Sequence, residues 1–339
     1  MQAQRPKPLL ALNSSIARTY HDEIVIPSIK NHTPYPEYNS GVSNRTEVTL
    51  ESQNLEHVFL PTNGIRLHVV QTGSRYGSLV ILLHGFPEFW YGWRRQIQPL
   101  ANAGMRVWVP DQRGYNLSDK PKGISAYRLD ELANDVIGLI DAAGVEKCYL
   151  AGHDWGAAVA WWVALRYPDR LHKLAILNVP HPAIMRQTLS RNLTQLKKSW
   201  YMFFFQIPFL PEAILRNNDW EFMVKILVGT SKPGSFSKGD IEQYQQAWWR
   251  KDAIASMLNW YRAVIQMPPG LSDNMRIQVP TLILWGAQDV ALGREMAKPS
   301  LDLCDQGKLV IFEGASHWVQ HDESEAINKH LVDFFTSSQ

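Results

Sequence analysis

Six short runs in this chain, LVILLHG, RVWVPD, CYLAGHD, KLAILNV, TLILWG and KLVIFEG, are apolar at nearly every position. A strand with one wet face alternates apolar and polar residues, so strands without alternation have both faces covered. Parallel neighbours also need long crossovers, which helices supply. One such stretch is YRLDELANDVIGLIDAAG, with Leu129, Leu132, Val136, Ile137 and Ile140 on one predicted face and Gly144 as the stop. HVFLPTNGIRLHVVQTG, ahead of the first run, predicts a hairpin turning at Asn63-Gly64. The fold class is α/β: a mostly parallel central sheet with helices on both faces.

The alternation stops between residues 181 and 268. That block has no convincing buried strand, is crowded with Trp, Tyr and Phe, and contains the loop-like GTSKPGSFSKGD. It predicts an inserted helical cap, because the chain leaves the sheet and returns at Thr281. Ligands of parallel sheets bind at the carboxyl edge that such a cap would cover. Within it, YMFFFQIPFL is broken by Gln206 and Pro208, is too short to span a bilayer, and is expected to be buried or to line a pocket. The expected organisation is a flexible extension over 1–50, core over 51–180, cap over 181–268 and core again over 269–339. The extension is polar, proline-rich and without periodicity. Arg5, Arg18 and the serines before Asp22 faintly resemble an organelle transit peptide. The tripeptides at Asn31 and Asn44 match a glycosylation pattern but carry no meaning without an export signal.

Lys plus Arg number 34 against 32 Asp plus Glu, and the resulting formal charge of +2 leaves no overall footprint for nucleic acid or an anionic membrane. A small-molecule partner is the better expectation. Two cysteines, Cys148 and Cys304, cannot form a disulfide framework, which fits a reducing, cytoplasmic setting. No run of about 18 apolar residues is present to form a transmembrane helix.

Chemistry enters at Gly152-His153-Asp154-Trp155-Gly156, where a predicted strand meets the helix start GAAVAWW. This is the strand-turn-helix setting of a nucleophile elbow, with aspartate where serine is common. A plain helix N-cap is the competing reading of Asp154. Asp289 follows TLILWG and His317 follows KLVIFEG, which supplies nucleophile, acid and histidine in the chain order of that architecture. Backbone N–H groups of Phe86, after His84-Gly85, and of Trp155 are candidates for an oxyanion hole. The His84 side chain is expected to be buried, pinning its loop by hydrogen bonds. A carboxylate is already ionised at neutral pH, so it needs no base to attack. Its attack on a carbonyl would give a mixed anhydride. On saturated carbon bearing oxygen or halogen it gives an ordinary ester, which water activated by a His317–Asp289 pair could hydrolyse.

From about residue 56 onward the chain resembles the epoxide hydrolases of the α/β-hydrolase fold. The resemblance is carried by HGFPEFWYGWR, DQRGYNLSDKP, GHDWGA, NVPHP, FQIP, LNWYR, WGAQD and SHW. It implies two cap tyrosines that protonate the epoxide oxygen, Tyr261 in LNWYR and Tyr201 five residues before Gln206. It also implies an apolar epoxide and water as substrates, with no cofactor and no metal. Asn116 stands where the family commonly has glycine, and asparagine tolerates left-handed backbone. Haloalkane dehalogenation through the same aspartate is the alternative, with Trp155 as a halide donor; against it, Phe86 stands where dehalogenases often place asparagine. A non-catalytic ligand-binding protein is the second alternative.

Overall fold

The computed structural model describes residues 55–270 and 274–337. The chain divides into two units, Met1–Glu47 and Val48–Gln339. The expected extension over 1–50 and both tripeptides lie outside the described residues, and the sheet and helices belong to the second unit.

Eight strands form one sheet: β1 (Glu56–Thr62), β2 (Ile65–Gly73), β3 (Leu79–Leu83), β4 (Arg106–Pro110), β5 (Cys148–His153), β6 (Leu171–Leu177), β7 (Thr281–Gly286) and β8 (Gly307–Phe312). Their order is β1-β2-β4-β3-β5-β6-β7-β8. The β1–β2 and β2–β4 pairings are antiparallel and the rest are parallel. The hairpin turns at Asn63 and Gly64, both with positive φ, 42° and 77°, as a two-residue turn requires. Every residue of β3 and β7 is buried, as their unbroken apolar runs predict. KLVIFEG is a correction: β8 is half-buried to exposed, because it pairs only with β7 at the edge of the sheet, and strand order cannot be seen in a local run.

Helices α1 (Arg94–Asn102), α2 (Leu129–Ala142) and α3 (Trp155–Arg166) lie in the first part of the chain. In α2, Asp130 and Glu131 occupy the first turn, where they complement the helix dipole, and Gly144 stops the chain with φ 72°. Its buried face includes Leu129, Leu132, Val136, Leu139 and Ile140; Ile137 is only half-buried, one residue off the predicted stripe.

Between β6 and β7 the described chain is helical: α4 (Pro182–Arg191), α5 (Leu193–Lys198), α6 (Trp200–Phe204), α7 (Leu210–Thr230, broken at 217–220), α8 (Lys238–Trp248) and α9 (Ala253–Gln266). A capping box between Ser237 and Asp240 starts α8. YMFFFQIPFL departs from its expected burial. Phe205 is buried and Tyr201 half-buried, but Phe203, Ile207, Phe209 and Leu210 are exposed, as is Trp200 just before the run, since a helix this short has one inner face and the run is apolar all round. The chain closes with α10 (Ala297–Leu301), α11 (Val319–Asp322) and α12 (Ser324–Thr336).

The order of strands sets the site. After β3 the chain moves to one side for β4 and returns to the other side for β5, so the carboxyl ends of β3 and β5 diverge at a switch point where parallel sheets bind ligands. The register pairs Leu83 with Gly152, which brings the loop after β3 against the turn after β5.

One buried ion pair ties the hairpin to the sheet's helical cover. Arg113 reaches Asp135 through Nη2 at 2.6 Å and Nε at 2.8 Å, and Asp135 also accepts from Asn63 in the hairpin turn. Burial pushes the Asp135 carboxyl up, with Arg113 opposing it. Arg113→Ala leaves that carboxylate buried without its partner and is expected to cost about 3–5 kcal/mol. Arg113→Met combined with Asp135→Leu recovers most of the loss, read as the shift in urea midpoint; equal midpoints for both variants would contradict this account.

Candidate active site

Asp154 follows β5 directly and precedes α3, with φ 49° and ψ −124°. A non-glycine residue in this region is strained by roughly 1–3 kcal/mol, and it persists only where its surroundings over-determine it. Here they do. A Cβ on Gly152 would stand 2.3 Å from the Gly156 carbonyl oxygen, and one on Gly85 would stand 2.3 Å from the Asp154 Cβ. Only glycine lets the two turns close on one another. The Asp154 side chain is held out above the sheet, 18% exposed, rather than folded back as a helix cap: it makes no capping hydrogen bond.

Three loops from the carboxyl edge converge on it. The Phe86 backbone N–H donates to Asp154 Oδ1 at 2.8 Å. The Trp155 N–H opens α3 beside it, in the first turn where backbone donors lack helical partners. His317 Nε2 lies 3.4 Å from Asp154 Oδ2, and its Nδ1 lies 2.7 Å from Asp289 Oδ2. The imidazole therefore bridges two carboxylates. Burial lowers the pKa of His317, but Asp289 and Asp154 outweigh burial and raise it well above its ordinary value. Burial likewise raises the Asp154 carboxyl, and the His317 hydrogen bond and charge, with His153 and the Phe86 N–H, reverse that and hold it below its ordinary value. Both shifts favour imidazolium beside carboxylate.

Tyr201 on α6 and Tyr261 on α9 meet edge to face, ring centroids 5.9 Å apart. Tyr261 also packs edge-on against Trp155 at 5.0 Å and Phe86 at 5.4 Å, directly over the nucleophile's neighbours. Burial raises both phenols, and the Asp154 charge raises each further, so both keep their protons. Gln206 sets their spacing by donating to the carbonyls of Met202 on α6 and Tyr261 on α9, at 2.9 and 3.0 Å. Arg262 clamps the same junction, pairing with Glu212 at 2.8 Å and donating to the carbonyls of Phe205 and Ile207.

His84 behaves as its loop requires. It accepts from the Gln112 N–H at Nε2 and contacts the Gly85 carbonyl through Nδ1, both at 3.0 Å, and burial lowers its pKa. Asn116 takes the left-handed conformation, φ 37°, and adds what glycine could not, a 2.8 Å hydrogen bond to Asp111.

Several contributors escape sequence reasoning. Asn178, just past β6 in NVPHP, donates to Asp289 Oδ2 at 2.8 Å, while Ala291 and Leu292 N–H groups each donate to Oδ1 at 2.8 Å. The acid is thus satisfied on both oxygens. Glu88, fully buried in the same loop as Phe86, accepts from Tyr244 of α8 at 2.7 Å and Gln320 of α11 at 3.1 Å. His321 lies 2.7 Å from Glu88 and takes the Arg94 guanidinium on its other nitrogen; burial pushes it down to about 4, so it stays neutral. His153 donates from Nε2 to the His317 carbonyl at 2.9 Å, linking this network to the loop after β8. NVPHP and HGFPE are visible in the sequence, but nothing in either says that its polar residue is buried.

A family described as alpha/beta hydrolase fold matches residues 78–324. The chain is 44% identical over 277 residues to AB hydrolase superfamily protein YfhM of Bacillus subtilis (strain 168), covering 81% of this chain and 96% of that protein. It is 38% identical over 286 residues to Epoxide hydrolase 1 of Caenorhabditis elegans, covering 83% and 70% respectively. Among solved structures, Epoxide Hydrolase A from Mycobacterium thermoresistibile superposes with a TM-score of 0.76 at 32% identity, over 84% of this chain and 99% of that one. The chain belongs to the epoxide hydrolase family of the α/β-hydrolase fold.

The two carboxylates flanking His317 make a measurable prediction. In an NMR titration the imidazole should stay protonated well above about 6.5. Replacing Asp289 by Asn, or Asp154 by Asn, should lower that pKa in each case, because each removes a charge that favours imidazolium. An unchanged titration in both variants would contradict the assignment of the cause.

Proposed function

We propose that this chain opens an apolar epoxide to a vicinal diol through an ester formed on Asp154. The reading is carried by one observation: Tyr201 packs on Tyr261, which packs on Trp155 and Phe86, the two residues whose backbone flanks Asp154 in its strained turn. An alkoxide leaving group is strongly basic and needs a proton, which Tyr201 and Tyr261 can supply from the side opposite the attacking oxygen. A departing halide needs no proton, so the phenol pair favours the epoxide over the haloalkane. The helices between β6 and β7 act as the lid that carries these phenols and shields the ester from bulk water.

In the first half-reaction the Asp154 oxygen that does not face Phe86 attacks the epoxide carbon, the C–O bond breaks, and one phenol gives its proton to the departing oxygen, becoming a phenolate, while the other hydrogen-bonds to it. Esterification removes the negative charge of Asp154. His317 then loses one of the two charges that hold its proton, its pKa falls, its proton passes to the phenolate left by the first step, and the neutral imidazole becomes available as a base. Chemistry at one carboxylate arms the next step. In the second half-reaction His317 takes a proton from water, Asp289 stabilises the imidazolium, and hydroxide attacks the ester carbonyl; the acyl C–O bond then breaks, the leaving diol oxygen takes the proton from His317, and the Asp154 acid returns its own proton to His317, restoring imidazolium and carboxylate. The carbonyl oxygen that develops charge is the one already facing the Phe86 N–H, with Trp155 N–H as the second donor.

A His317→Gln variant exposed to styrene oxide should accumulate the mass of one epoxide on the peptide containing Asp154, and Asp154→Ala should abolish it. Tyr261→Phe should slow adduct formation roughly 10 to 10²-fold, the range for losing one of two acid partners. Intact-mass kinetics reads both; an adduct on another residue, or chloride release from a chloroalkane faster than diol formation, would overturn the reading. In the wild-type enzyme kcat should rise with pH through the pKa of His317 in the ester, below the value titrated in the free protein.

A further inference from the structure

The helices α4 to α6 carry a surface that the proposed chemistry does not use. Trp200 is 55% exposed, Phe203 54% and Phe209 85%, with Ile207 beside them, all within ten residues of chain. Trp200, Phe203 and Ile207 recur at helical spacing, so they share one side of α6 and the turn after it, opposite Tyr201 and Phe205. Phe209 is held outward by a backbone in the left-handed region, φ 64°, an unfavourable place for a bulky residue. Clustered exposed aromatics of this size mark an interaction surface.

Charge decides what covers it. Between Asp169 and Glu212 the sequence has no acidic residue at all. The same stretch holds Arg186, Arg191 and Lys197, which are exposed, and Lys198, which is half-buried. None of the four takes part in an ion pair among the described residues. Elsewhere Lys225, Arg262, Arg276, Arg294 and Lys298 each meet a carboxylate. Because α5 packs on both α4 and α6, the cations lie on helices adjacent to the aromatics, with Lys197 and Lys198 within three residues of Trp200.

We propose that this face docks the protein on an anionic phospholipid surface. Trp and Phe side chains settle at the headgroup and acyl boundary, while Lys and Arg around them meet lipid phosphates. A second copy of this chain fits poorly, since a two-fold contact would oppose four cations to four cations with no carboxylate between them. The first 54 residues fit poorly as well, having five acidic and five basic residues and hence no complementary charge. Docking would place lipid against the outer side of α6, the helix whose inner side presents Tyr201. Apolar substrate dissolved in a membrane would then meet the enzyme where the phenol sits, a consequence that rests on the proposed epoxide chemistry.

The test uses the full chain and sedimentation with vesicles of phosphatidylcholine, with or without phosphatidylserine. Binding is expected only with phosphatidylserine and should weaken as salt is raised. Lys197→Glu with Lys198→Glu, and separately Trp200→Ser with Phe203→Ser and Phe209→Ser, should each lower the bound fraction roughly tenfold. Hydrolysis of dissolved styrene oxide should be retained in both, which reports that they fold. No binding to either vesicle, binding that both variants keep, or a dimer that the serine variant dissolves would overturn the proposal. Because vesicle binding is read without turnover, its failure is distinct from failure of the proposed chemistry.

Discussion

Everything at the carboxyl edge of the sheet depends on keeping one carboxylate ionised and raised in a turn that resists both. Asp154 is desolvated, which favours the neutral acid, and its backbone sits where a side chain is strained. A hydrogen bond from Phe86 and the charge of His317 oppose the first effect; glycines at 85, 152 and 156 relieve the second. The charge of His317 is in turn sustained by Asp289, whose oxygens are filled by Asn178 and two backbone donors. The charges of Asp154 and His317 thus favour one another, and Asp289 adds to the hold on the imidazolium.

Behind that unit lies a second buried network that meets it at His153, the chain neighbour of Asp154. Glu88, His153, Gln320, His321, Arg94, Asp240 and Tyr244 join the loop after β3, the end of β5, α11 and α8. Apolar packing is non-directional, whereas these hydrogen bonds define one registration of the elements they join, α1 among them through Arg94. The distance from His317 to Asp154 is therefore set by residues on both sides of it. This is the physical sense in which helices from the 181–268 block and strands of the sheet share one site.

The proposed two-stage chemistry uses the same coupling over time. A base is of no use while it holds its proton, and here the proton is released by loss of the charge that retained it. Serine at the same turn could not do this, since its ester formation removes no permanent charge. In the proposed scheme aspartate accounts both for the kind of carbon attacked and for the order in which the groups act.

Much of this was legible in the linear chain. Unbroken apolar runs implied a parallel sheet because local hydrophobicity reflects coverage of both strand faces, and GHDWG, WGAQD and SHW each lay just beyond a strand, where the sheet geometry makes loops converge. Residue type also told the chemistry of Asp154, because ionisation at neutral pH belongs to the side chain. What only the tertiary structure decided were properties that depend on neighbours distant in sequence. The half-exposed state of KLVIFEG follows from its place at the sheet edge, and the outward half of YMFFFQIPFL from which side of a short helix meets the core. The support of Asp289 by Asn178, the burial of Glu88 and the raised pKa of His317 arise from groups 28 to 232 positions apart. A net charge of +2 likewise concealed a stretch without acidic residues between Asp169 and Glu212, because a sum over the chain discards position. Pattern and residue chemistry are local and survive in sequence; field, burial and partnership are sums over space, and only folding supplies the distances.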